Sequence, residues 1–357
     1  MESSQFGIVN GLFRSSCFLA LISPPPHAAP DFVNETLLMN RLGYRVLRAN
    51  AWKSTMNRTV GSLRKVADVR FASSPASGSE LFGQQAEQYA KFRPQYPQDL
   101  YDALFRFTEV AAMASGVPSS DCRHLAIDVA CGSGQMALPI AEKYDKVLAF
   151  DSSPEQLKHA PQVANIEFSV ATAEEIPVET DAADLVTVGQ SLHWLDLDRF
   201  YAEAARVLHP STGALAVAGY THCVMSDPDV QPIVRTFQEE MEPYWDDRRA
   251  LLDSLYEEME PAEVHDEPGF MGIERLPLRF GVQFTLDTLE GYFSTWSSYQ
   301  KYLKSKGVAR GSSEDALAQL RQSLAAHVEK EPDSSLEAVF PMILILARRN
   351  RVPWRNP

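Results

Sequence analysis

From residue 125 onward the chain alternates short apolar runs with stretches of helical periodicity. The candidate strands are the short apolar runs 125–130, 146–151, 166–170, 184–189 and 214–219. Helical stretches fall between them at 135–144, 155–160, a short one after Glu174, and 197–208. Such alternation predicts an α/β fold of the Rossmann-like, doubly wound kind, mostly parallel, with its ligand site at the carboxyl ends of the strands.

Beyond Tyr220 the alternation stops. A helical, acid-rich stretch over 227–260 carries the pair Tyr244-Trp245, a strand-like run follows at 273–285, and helices are expected near 286–305 and 313–329. The final run 338–347 is too short to cross a membrane and predicts a buried, antiparallel C-terminal strand. The resulting partition is an N-terminal extension over 1–75 and one domain over 76–357. Within that domain, 78–100 forms a lid segment, 121–220 a cofactor-binding core, 221–335 a helical cap with the late strand, and 336–349 the last strand.

Charge separates the extension from the domain. The chain has 33 basic and 47 acidic side chains, but residues 1–75 hold 9 of the former and only 4 of the latter, leaving the remainder near −19. So acidic a body repels phosphate backbones, which argues against nucleic acid as a partner. Eight of those basic residues (Arg41, Arg45, Arg48, Lys53, Arg58, Arg64, Lys65 and Arg70) lie between Met39 and Pro75 against the single acid Asp68. Arg-rich, Ser-containing, acid-poor sequence is the composition of an organelle transit peptide, with processing expected near 70–74 and a mitochondrial address. A disordered basic tail, an upstream extension of a frame starting at Met39 or Met56 with a cytoplasmic product, and a poor secretory signal over 1–30 are the alternatives. The longest apolar candidate, 13–23, is broken by Arg14, Ser15 and Ser16, so no membrane span is expected. Cys17, Cys122, Cys131 and Cys223 have neither disulfide-framework nor metal spacing, and no metal site is expected.

The strongest chemical signal is Leu125-Ala126-Ile127-Asp128-Val129-Ala130-Cys131-Gly132-Ser133-Gly134-Gln135. A strand running into small residues and then a helix lets backbone approach a ligand and aims free N–H groups at it. The same loop satisfies a relaxed GxGxxA fingerprint, so by itself it leaves open nicotinamide dinucleotide and S-adenosylmethionine. Asp128, four residues before Gly132, suits the ammonium of a methionine moiety and would repel a pyrophosphate. Asp151, followed by Ser152, ends the next strand where a carboxylate takes both ribose hydroxyls. Thr172, Ala173 and Glu174 follow the third strand, at the place where adenine is held.

The ordered set from Asp128 through Arg206-Val207-Leu208-His209-Pro210-Ser211-Thr212-Gly213 resembles the class I methyltransferases. Within them the chain is similar to the small-molecule, type 11 branch that includes trans-aconitate-methyltransferase-like proteins. That likeness is carried by residues 82–97, by Gln190-Ser191-Leu192-His193-Trp194 and by Trp296-Ser297-Ser298-Tyr299, and it spans about 81–349. It implies S-adenosylmethionine as cofactor and a small-molecule acceptor; it leaves the oligomeric state open. Two departures stand out. Ala130 replaces the family's usual glycine, which alanine tolerates if its φ is negative, and Ser211-Thr212-Gly213 replaces a Pro-Gly-Gly turn. The rival readings are an NAD-dependent oxidoreductase and a catalytically silent cofactor-binding partner protein.

Methyl transfer from a sulfonium needs orientation and a dry pocket rather than a metal or a nucleophilic side chain, and an ionised carboxylate acceptor needs no general base. The cofactor candidates are Asp128, Ala130, Gly132, Gly134, Asp151, Ser152, Thr172, Ala173, Glu174 and Gln190. His193 is the candidate base or hydrogen-bond donor, and Arg93, in the lid segment, the candidate partner for a carboxylate. Tyr89, Tyr96, Trp194, Trp245, Trp296 and Tyr299 are expected to wall the acceptor pocket.

Overall fold

In a computed structural model the described residues are 88, 91–118, 122–331 and 335–352. The expectations for the basic extension, and the one for Tyr89, lie outside them. Among the described residues no helix is long and apolar enough to cross a membrane.

Helix α1 (Gln98–Ala114) leads into the sheet. Five parallel strands follow: β1 (Leu125–Val129), β2 (Lys146–Asp151), β3 (Ile166–Val170), β4 (Leu185–Gly189) and β5 (Ala214–Tyr220). They run in the order β3-β2-β1-β4-β5, so the chain reverses its winding at β1, between β2 and β4. Helices α2 (Ala137–Ala141), α3 (Pro154–Leu157) and α4 (Leu197–Val207) connect them. Strand β8 (Glu337–Arg349) adds antiparallel to β5, pairing Ala214 with Arg348 through Tyr220 with Met342. The long strand β7 (Phe270–Gln283) closes the sheet antiparallel to β8, and the short β6 (Val224–Met225) continues the edge of β5 along β8. Pro277, which has no N–H to give a ladder, sits on edge strand β7.

Every residue of β5 is buried, and its alanines and Gly219 leave room for helices on both faces. One face packs under α1, α2 and the C-terminal cap; the other under α4, with Phe200, Ala204, Ala205 and Val207 turned inward. Two further expectations need correction. The stretch after Glu174 forms a turn: Glu175 N–H donates back to Thr172 O at 3.3 Å, and the Glu174 carboxylate is drawn to the distant Asp196 N–H, which it accepts at 3.0 Å. The single helix expected over 227–260 is broken into α5 (Gln231–Met241) and α6 (Arg249–Asp253), with Pro243 between them and Leu255 and Tyr256 at positive φ. Helices α7 (Leu286–Ser294), α8 (Ser297–Lys306) and α9 (Ala316–Lys330) complete the cap.

The Ser211-Thr212-Gly213 turn has its own lock. Thr212 Oγ1 donates to Asp184 Oδ1 at 2.6 Å, while Asp184 Oδ2 accepts the N–H of His124 at 3.0 Å. One carboxylate thereby ties the entrance of β5 to that of β1, a bond that a proline-glycine turn lacks.

Candidate active site

The carboxyl ends of β1, β2, β4 and β5 open into one cleft. Its floor is the loop after β1. Gly132 (φ +56) turns the chain and donates its N–H to Asp151 Oδ2 at 2.7 Å; Asp151 Oδ1 accepts Ser153 N–H at 2.8 Å. Asp151 therefore fastens the β1 loop to the end of β2, with lone pairs left for a ligand on a carboxylate that lines the cleft. Gly134 (φ +84) is not part of the wall: its N–H is taken by Cys131 O at 2.9 Å, and a Cβ there would come within 2.7 Å of Phe168. Close approach to β3, not ligand contact, requires that glycine. Ala130 is at φ +51, correcting the expectation of a negative value; the loop keeps its left-handed turn despite the Cβ.

Asp128 is fully buried. Thr187 Oγ1 donates to its Oδ1 at 2.7 Å, whereas Oδ2 has no hydrogen-bond partner among the described residues. Burial, with the nearby Asp151 charge adding to it, pushes its carboxyl up to about 7, against the lowering effect of Thr187. A buried carboxyl with an open oxygen facing a cleft is a site for a cation. Beside it, the Gln135 Nε2 amide is also buried without a partner and lines the same cleft. The residues present thus fit a zwitterionic, positively charged methionine group and a ribose: orphaned polar atoms at Asp128 and Gln135, a glycine cradle at Gly132, and Asp151 one strand away. Ser152, Thr172, Ala173 and Glu174 continue the wall from the end of β2 to the turn after β3.

The other end of the cleft is aromatic and cationic. Tyr96 from the lid segment reaches over the end of β4, with its hydroxyl 2.6 Å from where a Cβ on Gly189 would lie. Tyr220, Trp194 and Arg248 complete this end, the Arg248 guanidinium lying 5.4 Å from the centre of the Trp194 ring. Among the described residues that line the cleft, Arg248 is the only cationic side chain, while Asp128, Asp151 and Glu174 are its acids. Sequence reading missed Arg248 and Gln135. Arg248 lies in an irregular acid-rich stretch where only the neighbouring Trp245 stood out, and Gln135 was read as the start of a helix.

Several expected residues are elsewhere. His193 does not line the cleft; it is buried, its Nδ1 is 3.1 Å from Tyr256 Oη, and burial with Arg249 and Arg248 holds its imidazole down to about 3. A ring that stays neutral and is turned onto Tyr256 is placed for packing, not for proton transfer. Arg93 is also behind the wall, over the Tyr292 ring at 5.6 Å and donating to Thr295 O at 3.4 Å, so it joins the lid segment to α7. Trp296 and Tyr299 are core residues, 1% and 0% exposed, and Tyr299 donates to Asp315. Trp245 packs on Trp296 at 5.0 Å outside the wall. Gln190 lines the cleft, but its amide is committed to the backbone of Tyr220.

A glycine loop after β1, an acid at the end of β2 and an antiparallel strand inserted beside β5 define the class of nucleoside-cofactor methyltransferase folds. Residues 127–216 match the methyltransferase domain family. A Dictyostelium discoideum protein named as a methyltransferase is 28% identical over 283 residues, covering 77% of this chain and 97% of its own. An uncharacterized methyltransferase of Mycobacterium tuberculosis is 33% identical over 133 residues, 36% of this chain and 48% of the relative. The solved structure of a type II methyltransferase from Anaeromyxobacter dehalogenans superposes with a TM-score of 0.55 at 28% identity, covering 74% of this chain and all of that one. The chain thus carries a methyltransferase domain and resembles the class I, S-adenosylmethionine-dependent methyltransferases in sequence and fold. S-adenosylmethionine is therefore its cofactor, which settles the choice the glycine loop had left open.

Proposed function

We propose that this methyltransferase acts on a small carboxylate-bearing molecule seated between Tyr96, Trp194, Tyr220 and Arg248. The observation that carries the reading is the division of charge along the cleft: acids at the end suited to a cationic donor, and Arg248 at the other. In a domain so acidic, an anionic acceptor needs a local cation, and a guanidinium held on an indole face presents a planar fork to a carboxylate. Asp128, Gly132 and Asp151 would hold the cofactor, which supplies an electrophilic methyl group on a sulfonium. Arg248 would hold the acceptor carboxylate with an oxygen turned toward that methyl group. No proton has to move, in keeping with the absence of His193 from the cleft wall. Aromatic walls exclude water and align the reacting atoms.

Incubation with labelled methyl donor and a metabolite extract tests this directly. The label should enter the acidic metabolite fraction as an ester and be released as methanol by mild alkali. An alkali-stable label, or one in a neutral or basic metabolite, would overturn the carboxylate reading and leave methyl transfer itself standing.

A further inference from the structure

The end of the sheet away from the cofactor cleft holds a second cavity that none of the foregoing uses. Strand β8 leaves the sheet beside the entrance of β5, with Arg348 paired to Ala214, and the chain there runs Arg348-Arg349-Asn350-Arg351. These residues, with Ser211 and the end of α1, line an open-mouthed cavity of about 550 Å³, within the range of small-molecule sites. It shares no lining residue with the cleft.

Its charge is out of character for the domain. Three guanidiniums line the cavity and no carboxylate does, although residues 76–357 carry a net charge near −19. Arg349 is buried and gives its N–H groups to the carbonyl oxygens of Ala205, Asn350 and Val352; the opposing charge of Asp181 acts on it without forming an ion pair. A buried cation without a carboxylate partner leaves positive potential in the space beside it. Arg351 is exposed and is steadied by one N–H given to Ala114 O at 3.1 Å, on the last residue of α1, which leaves its other donors unspent. Arg348 makes no hydrogen bond or ion pair with another described residue; its guanidinium lies against Gly272, where a Cβ would come 3.0 Å from Nη2. Glu263, beside Gly272, does not neutralise it, because its Oε1 accepts the N–H groups of Gly272 at 2.8 Å and Ile273 at 3.3 Å.

Part of the remaining wall is apolar, from Pro210, Val264, Met271 and Val352. Guanidiniums present several N–H donors in planar forks, which match the oxygens of a doubly charged phosphate, while the apolar side suits an organic body. We infer that Arg348 and Arg351 form a binding site for an organic phosphate, with its phosphate group on the two guanidiniums and its body along Val264 and Met271, at the end of the sheet opposite the methyl-transfer cleft.

The test titrates 1-naphthyl phosphate, 1-naphthol and inorganic phosphate into the full chain saturated with S-adenosylhomocysteine, read by calorimetry. Naphthyl phosphate should bind about tenfold or more tightly than either of its parts. Arg348→Met and Arg351→Met should each weaken it by about tenfold. Lys304→Met, which removes an exposed cation on α8, and Arg248→Met, which removes the cation of the cleft, should leave it unchanged. Ser211→Glu sets a carboxylate in the cavity without touching either arginine and should abolish binding; it keeps the test decisive if melting shows that an arginine variant does not fold. Binding that is lost in Arg248→Met and kept in Arg348→Met would put the ligand in the cleft and overturn the site. Naphthyl phosphate no tighter than inorganic phosphate would overturn the organic ligand. No binding at all, or binding unmoved by Arg348→Met, Arg351→Met and Ser211→Glu, would overturn the site altogether.

Discussion

Gln190 and Tyr220 hold each other in both directions: the Gln190 amide nitrogen donates to Tyr220 O at 2.8 Å, and Tyr220 N–H donates to Gln190 Oε1 at 2.8 Å. This pair joins the exits of β4 and β5, the two strands that carry the acceptor end of the cleft. Gln190 does so from a left-handed backbone at φ +59. Gln190→Ala should cost about 1–3 kcal/mol by stranding both Tyr220 groups. Gln190→Gly loses the same bonds but relieves the backbone, and should be the more stable of the two by about 1 kcal/mol, read from denaturant midpoints. Equal stability of the two would show that the left-handed conformation carries no strain.

Gly189→Ala places a methyl 2.6 Å from the Tyr96 hydroxyl and 3.2 Å from Met136 Sδ. The cheaper adjustment is for Tyr96 to swing away, so the fold should persist while turnover at low acceptor concentration falls about tenfold or more. Adding Tyr96→Phe, which removes the clashing oxygen, should recover part of the loss. An unfolded Gly189→Ala protein would show instead that Met136 and the sheet take the strain.

Asp128 gives a pH dependence with a definite sign. Its folded value near 7 lies above the ordinary carboxyl value of about 3.9. Its contribution to the stability of the ligand-free protein is therefore fully present below about pH 4 and lost as pH rises through 7. A cationic ligand favours the ionised carboxyl, so S-adenosylmethionine should bind about tenfold more weakly at pH 6 than at pH 8, releasing a proton on binding at neutral pH. Asp128→Asn should flatten that slope. Calorimetry in buffers of different ionisation enthalpy measures the proton directly, and a slope unchanged in Asp128→Asn would assign it to another group.

Ala130→Gly should stabilise the protein by about 0.5–1 kcal/mol, the relief of a left-handed alanine at φ +51 less the greater freedom of glycine when unfolded. Ala130→Val should destabilise it, because a β-branched side chain is worse still there. Thermal melts of the three proteins give the order; an Ala130→Gly protein less stable than wild type would mean that the alanine methyl packs to advantage.

Most of the central sheet was legible because burial on both faces forces apolar runs, whereas edge strand β3 alternates apolar and polar residues; β2 and β3 have the bounds read from sequence, and β1, β4, β5 and β8 differ by a residue or two. The small-residue turn and the two strand-end acids were legible for a related reason, since backbone approach and ribose chemistry fix residue types at set distances from a strand. The acceptor end was not. Whether Arg93 or Arg248 faces the cleft depends on how α6 and the lid pack, which leaves no local period in the chain. His193 and Trp194 are adjacent in sequence, yet Trp194 reaches the cleft and His193 turns onto Tyr256, a distinction made by one turn of 3-10 helix. Aromatic residues such as Trp245, Trp296 and Tyr299 suit a pocket and a core equally well; burial decides between them. By itself the sequence determined the strand pattern and the cofactor loop, which local periodicity and residue chemistry specify. Only the tertiary structure decided which cation and which rings line the cleft, because that choice is made by side-chain packing between segments far apart in the chain.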